Sequence, residues 1–296
     1  MSTAGPPDVA AGADVELAGL VLASPVLVAA GCGGTGRELA AYGPLADLGG
    51  FVTRSITLDP RLGGPAPRIA ETPSGLVHAV GLPNPGLQPF LATELPWLAQ
   101  QGTRVIVSIA GGSLGEYAEL ARRLGSAPGV SALEVNLSSP DAGDAGVLDA
   151  REPFHAASVV SAVVRDLPRG LPVLAKLRSD PVRVVETARM VLDAGAAAVV
   201  VGNALPAAMP DGRQAGLSGP AIGPLALRCV AEVCAALPAA QVVGAGGIVS
   251  ADHARSFLAA GATAVQVGTA LLHDPTTAAR LAAELRARPD SPEETP

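Results

Sequence analysis

The sequence predicts an α/β protein: a parallel (β/α)8 TIM barrel with a small N-terminal hairpin and long loops on the catalytic face. Three observations predict it. Eight short apolar runs alternate with Ala/Leu/Arg-rich stretches of helical character, and such alternation implies parallel strands joined by right-handed crossovers. The 296 residues are about what eight such units need. Glycine-rich turns follow both the seventh and the eighth run, where barrels often hold a phosphate. An open doubly wound sheet is the alternative. It calls for a dinucleotide fingerprint after the first strand, and Gly31-Cys32-Gly33-Gly34-Thr35-Gly36 lacks an acidic partner about 20 residues on.

Taken in order, residues 1–14 are rich in Gly, Pro and Ala, with no basic start and no apolar centre. They read as a loose tail, not a signal peptide. Residues 15–22 alternate weakly about Gly19 and read as a hairpin closing the barrel bottom. Strands are expected at 26–30, 51–57, 105–109, 132–136, 172–177, 198–202, 241–244 and 264–268. Helices are expected at 38–47, 88–98, 114–123, 153–166, 181–194, 224–237, 251–259 and 275–286. Two connections are long, 58–87 and 203–222. Long loops in a compact domain usually carry function, and both fall on the catalytic face. Residues 287–296 read as a second tail, which leaves one domain over 15–286.

Composition narrows the function classes. Hydrophobic residues make up 49% of the chain, ample for one large core, but aromatics only 2%, so Ala, Val and Leu must fill it. The net charge is −7 with no basic cluster, which argues against nucleic acid. No apolar run reaches membrane-spanning length. Cys32, Cys229 and Cys234 fit a reduced, cytoplasmic setting. The last two are poorly spaced for metal and suit helix packing, so no metal site is expected.

Chemistry gathers in a few places. In Ala132-Leu133-Glu134-Val135-Asn136-Leu137-Ser138-Ser139-Pro140-Asp141, a buried apolar strand breaks into small polar residues. That puts one amide and two hydroxyls at the strand end where barrels keep reacting groups. Of 20 basic residues, Lys176 is the only lysine. Its survival suggests a site that needs a compact ammonium and rejects a planar fork. Gly244-Ala245-Gly246-Gly247-Ile248 and Gly268-Thr269-Ala270 follow the last two strands. Glycines let backbone N–H groups approach an anion, and a helix start adds the favourable end of its dipole. A phosphate site alone names no reaction.

Further segments do. Arg54-Ser55-Ile56-Thr57-Leu58-Asp59-Pro60-Arg61, Pro67-Arg68-Ile69-Ala70-Glu71-Thr72, Val80-Gly81-Leu82-Pro83-Asn84-Pro85-Gly86, Ala175-Lys176-Leu177 and Gly216-Leu217-Ser218-Gly219-Pro220 join the strand 132–136 motif in one order. Together they resemble the dihydroorotate dehydrogenases, most closely the soluble class 1 catalytic chains, over residues 15–286. The resemblance implies FMN at the strand C-termini and oxidation of a C–C single bond beside a carbonyl. It also implies a small-molecule substrate, a homodimer and an electron-transfer partner subunit, because an iron–sulfur cluster would need cysteines this chain lacks. By resemblance, Gly246, Gly247, Gly268 and Thr269 hold the FMN phosphate. Ala30, Gly31, Ser55, Asn136 and Gly219 line the flavin. Lys176 lies beside the flavin N1/O2 edge, where its charge favours the reduced form. Ser139 takes the base position, and Val80, Gly81, Leu82, Asn136 and Asn203 face substrate.

The departures from the family sit on the substrate side. Ser139 stands where soluble members usually carry cysteine; it is a weak base and needs a relay, through water or Thr57. Arg54 replaces a lysine, His78 and Asp141 replace asparagines, and Ala204 stands where a hydroxyl residue is usual. His78 and Asp141 could pair with each other instead of with the substrate ring. The cofactor shell is thus better kept than the substrate shell, and dihydroorotate itself is expected to be a poor substrate. The same scaffold run as an ene-reductase in a secondary pathway, or a flavin-binding paralogue without turnover, are the other readings.

Overall fold

The computed structural model describes residues 15–139, 146–168 and 170–287. Among the described residues, fourteen strands form three sheets, and eight of the strands close the barrel. These are β3 (Val26–Val28), β4 (Gly50–Val52), β7 (Val105–Ile109), β8 (Ala132–Asn136), β9 (Val173–Leu177), β10 (Ala198–Val201), β13 (Val242–Ala245) and β14 (Ala264–Val267), all parallel, with β14 closing on β3. Both faces of each barrel strand are covered, which is why the runs are apolar without alternation.

Alternate residues nevertheless go to different places. Val26, Phe51, Val107, Leu133, Val135 and Val199 point out and pack beneath the helices. Leu27, Val52, Ile106, Ala132, Leu174 and Val243 point in and make an apolar floor inside the barrel. The hairpin β1 (Val15–Leu17) and β2 (Leu20–Leu22) seals that floor with Leu17 and Leu22. Ala18 and Gly19 form its turn, both at positive φ. The Gln241 side chain accepts from the Ala18 N–H, and Arg104 Nε donates to the Val21 carbonyl at 2.9 Å, tying the hairpin to the barrel.

The helices follow local rules. Leu114–Gly125 starts at Ser113, whose Oγ accepts from the Glu116 N–H, and it buries Tyr117, Leu120, Ala121 and Leu124 at helical spacing. Ser250 caps Ala251–Ala259 in the same way. Two expected helices differ. The one at 38–47 is a short turn, Arg37–Ala40, then a 3-10 turn, Leu45–Asp47, because Gly43 and Pro44 cannot carry a helix through. The one at 88–98 is helical over Leu87–Leu98 but contains a π segment, Phe90–Glu94, between Pro89 and Pro96.

The two long connections are not plain loops. The first carries β5 (Ile69–Thr72) and β6 (Gly75–His78); the second carries β11 (Leu205–Ala208) and β12 (Gln214–Ser218). They join as one antiparallel sheet, β11-β12-β6-β5, packed on Val77, Ala79, Met209 and Ala215. Leu-Pro-Ala-Ala and Gln-Ala-Gly-Leu-Ser are poor in β-branched residues, so local propensity does not announce them. The expected tail at 1–14 lies outside the described residues, as do 288–296 of the second.

Candidate active site

A cavity of ≈ 340 Å³ opens at the C-terminal ends of the barrel strands, within the usual range for a small-molecule site. Its walls bring together residues far apart in sequence. Ala30 and Gly31 come from the turn after β3, Arg54 and Ser55 from beyond β4, Asn136 from the end of β8, Ser139 from the turn after it, and Lys176 from β9. Asn203, Ala204 and Gly219 follow β10 and β12; Gly246 and Gly247 follow β13; Gly268 and Thr269 follow β14. His78, Val80 and Leu82 enter from the antiparallel sheet and the loop beyond it. Among the described residues, one expected residue, Gly81, is not there. Gly81 lines a separate surface hollow with Arg61 and Gly64, where its backbone packs against Gly63 and Gly64. Asp141 lies outside the described residues.

Above the apolar floor, the barrel interior turns polar. Glu134, Lys176 and Gln266 meet there, with Glu134 0% and Lys176 6% exposed. Lys176 Nζ donates to Gln266 Oε1 at 2.7 Å and stands 3.3 Å from Glu134 Oε1. Gln266 Nε2 donates to the other carboxylate oxygen, Oε2, at 2.5 Å. Glu134 Oε1 has no hydrogen bond of its own among the described residues, so its tie to Lys176 is electrostatic. Sequence reasoning missed Glu134 and Gln266. The signal was a charged or amide side chain in the middle of an otherwise apolar strand.

A second polar chain runs one layer higher. Asn136 Nδ2 donates to Ser55 Oγ at 3.2 Å, and Ser55 shares a 2.9 Å hydrogen bond with Ser108. Asn203 Nδ2 reaches the Ser138 carbonyl at 2.5 Å and Asn136 Oδ1 at 3.4 Å. Tyr117, buried under its helix, donates its hydroxyl to the Asn136 carbonyl at 2.8 Å. Burial holds that phenol well above its usual value, so it remains a donor. These bonds fix the two amides before any ligand arrives.

Backbone amides gather at the glycine turns. Among the described residues, the N–H groups of Gly247, Gly268 and Thr269 donate to no backbone carbonyl. Gly247 has φ +71°, and a Cβ there would lie 2.5 Å from Gly223 Cα, so the turn tolerates only glycine. Free amides beside small residues are what a phosphate requires.

At the mouth, Arg54 has its Nε buried without a hydrogen-bond partner among the described residues. Two carboxylates feel its charge. Burial raises Glu94, which Arg54 offsets only in part. Burial would also raise Glu38, but hydrogen bonds from its own and the Thr35 N–H, with Arg54, hold it below the usual range. The His78 ring and the Ala204 methyl face each other across Gly216: a Cβ on Gly216 would come within 2.9 Å of the ring and 2.7 Å of the methyl. Burial pushes the Cys32 thiol up to about 11, and Lys176 offsets only part of that, so it stays protonated and inert near neutrality. The expected relay through Thr57 meets a hydroxyl already committed: it donates to the Asp59 carbonyl at 2.6 Å and accepts from Asn84 Nδ2 at 2.9 Å. Asn84 likewise holds its own loop, accepting from the Gly86 N–H at 2.9 Å.

Comparison with known proteins places these features in context. The family model described as "Dihydroorotate dehydrogenase" matches residues 13–288. The "Dihydroorotate dehydrogenase B (NAD(+)), catalytic subunit" of Desulforudis audaxviator is 45% identical, covering 92% of this chain and 90% of its own. That of Geobacillus sp. (strain WCH70) is 41% identical, over 92% of this chain and 88% of its own. A crystal structure of DHODH from Eimeria tenella in complex with ferulenol superimposes with a TM-score of 0.76 at 22% identity, covering 95% of this chain and 86% of that one. This last likeness bears on the fold.

Proposed function

The chain belongs to the dihydroorotate dehydrogenase family, and from that premise we propose that it is an FMN-dependent oxidoreductase acting on the CH–CH bond of dihydroorotate or a close ring analogue. One observation carries the reading. The only lysine of the chain, the free amides of Gly247 and Gly268, and the fixed Asn136–Asn203 pair all open into one cavity. The donor set suits FMN: amides without partners for its phosphate, and a buried cation for the ring that gains electrons. When bound, FMN supplies the two-electron acceptor for hydride leaving the substrate.

The residues then divide the work. Gly247, Gly268 and Thr269 hold the phosphate through their N–H groups. Lys176, 6% exposed, presents its ammonium where little solvent screens it. Asn136 and Asn203 orient the substrate ring with amides that need no reorganisation. Arg54 receives the substrate's anionic group. Ser139 accepts the proton from the carbon next to the one that loses hydride, and must pass on its own proton as it does so. With the Thr57 hydroxyl engaged by the Asp59 carbonyl and Asn84, water is left to take that proton.

His78 and Ala204 favour a refinement. Together they offer the ring one imidazole and one methyl, a contact set selecting a ring with a different pattern of donors and acceptors. The names of the relatives specify a catalytic subunit and NAD(+). This chain is accordingly read as the catalytic part of an assembly whose partner subunit carries electrons onward to NAD(+), around a homodimer. Among the described residues no three His, Cys, Asp or Glu side chains gather to hold a metal, so an iron–sulfur cluster would need a partner chain. Three unpaired cysteines suit the reducing cytoplasm. Among the described residues no helix is long and apolar enough to cross a membrane.

The test is a spectrum and a titration. Purified protein should be yellow, with a single non-covalent FMN per chain. Protein that neither carries FMN nor binds it when titrated would remove the reading.

A further inference from the structure

The buried triad beside the cavity contains more charge than the fold requires. The layer beneath it is made of Leu27, Val52, Ile106, Ala132, Leu174 and Val243. Strands of this barrel therefore close perfectly well on apolar side chains. A buried ion pair gives no stability that well-packed apolar residues of similar volume would not. Yet Glu134, 0% exposed, carries a carboxylate into the layer that borders the cavity. Its only charged partner among the described residues is the cation that lines the cavity.

The geometry gives each member a distinct part. Lys176 Nζ has three donors. One goes to Gln266 Oε1 at 2.7 Å and one side faces Glu134 Oε1 at 3.3 Å. The remaining direction is open to the cavity, which Lys176 and Gln266 both line. Gln266 can face both neighbours only as it does, oxygen to the ammonium and nitrogen to the carboxylate. Its amide is thus a clamp that fixes where the ammonium points. Glu134 supplies a negative charge that reduces the field Lys176 projects, and little solvent intervenes to screen either.

We propose that Glu134 and Gln266 are positioning residues that set the net charge and direction with which Lys176 meets bound FMN, and so set how readily the bound flavin accepts electrons. The inference rests on the reading that FMN occupies this cavity with its ring at Lys176. A full uncompensated ammonium would hold the reduced form too firmly for onward transfer to a partner. The Glu134 carboxylate keeps the attraction moderate, so the same site can both take electrons and release them.

The experiment is an anaerobic, dye-referenced titration of the FMN-loaded protein, comparing wild type with E134Q, Q266E and K176M. E134Q removes a charge without changing shape. At a fixed dye potential its ratio of reduced to oxidised flavin should rise tenfold or more, equivalent to a shift of about +30 mV for a two-electron couple. Q266E adds a second carboxylate, and K176M removes the cation; both should shift the ratio the other way. Wild-type protein that binds no FMN refutes the underlying reading. FMN bound but indifferent to K176M refutes the placement of Lys176. A K176M shift with E134Q and Q266E both at the wild-type ratio, or shifted in the same direction as each other, overturns the present inference alone. If E134Q does not fold, the sign of the Q266E shift decides. Loss of FMN from both variants overturns the inference, since the triad would then serve the fold.

Discussion

Lys176 illustrates how one residue's neighbours change its expected behaviour. Read from sequence, its replacement should harm electron transfer far more than folding. The structure pairs it with a fully buried carboxylate, so its removal leaves Glu134 with the Gln266 amide but no countercharge among the described residues. Breaking such a pair costs about 3–5 kcal/mol. Lys176→Met should therefore lower urea-unfolding stability by roughly that amount, and adding Glu134→Gln should recover most of it, because both charges are then gone. Equal stability of the single variant and wild type would show the carboxylate protonated or solvated. Ser139→Ala is the opposite case, a cavity-wall hydroxyl whose loss should leave FMN bound. It should slow flavin reduction about 10²-fold or more, the usual worth of a placed base. An unchanged rate at saturating substrate would move the base to His78. For specificity, kcat/KM with dihydroorotate and an artificial acceptor should fall below about 10⁴ M⁻¹s⁻¹, the lower end for ordinary enzymes. His78→Asn with Asp141→Asn should raise it. A wild-type value above that level would remove the case for a different ring.

The barrel strands were legible because their runs are apolar and bounded by turn residues; β7 and β8 fall at 105–109 and 132–136, as their sequence indicates. The capping sheet was not, since β11 and β12 are held by antiparallel pairing and by the small cluster around Met209, neither of which leaves a local pattern. That sheet matters because it delivers His78 to the mouth of the site. The glycine turns were legible in the sequence, and the structure adds why position 247 admits only glycine. Gly247→Ala would drive a methyl into Gly223 and strain a backbone at φ +71°. Losing the aim of one N–H towards a doubly charged phosphate is worth about 1.5–3 kcal/mol. FMN affinity by fluorescence titration should therefore drop about tenfold or more. Unaltered affinity would place the phosphate elsewhere along the β13 and β14 ends.

On the scale of the whole molecule, the barrel sorts its interior by depth. An apolar floor sealed by a hairpin lies lowest, a buried charged triad comes next, and a ladder of amides and hydroxyls stands at the rim. Sequence showed the ends of this gradient: the apolar runs, and the polar break after Asn136. The middle layer was hidden because Glu134, Lys176 and Gln266 are up to 132 positions apart and meet only when the barrel closes. The departures at Arg54, His78 and Ala204 all line the cavity, apart from the buried triad beneath it. The account therefore stands on redox chemistry at bound FMN. Its most direct test is to mix the purified protein anaerobically with excess dihydroorotate and follow the visible flavin spectrum while assaying orotate. The account predicts that the yellow colour bleaches, slowly if the rim selects another ring, with one orotate formed for each flavin reduced. A bound flavin that stays oxidised with dihydroorotate and its ring analogues, yet bleaches with dithionite, would contradict it.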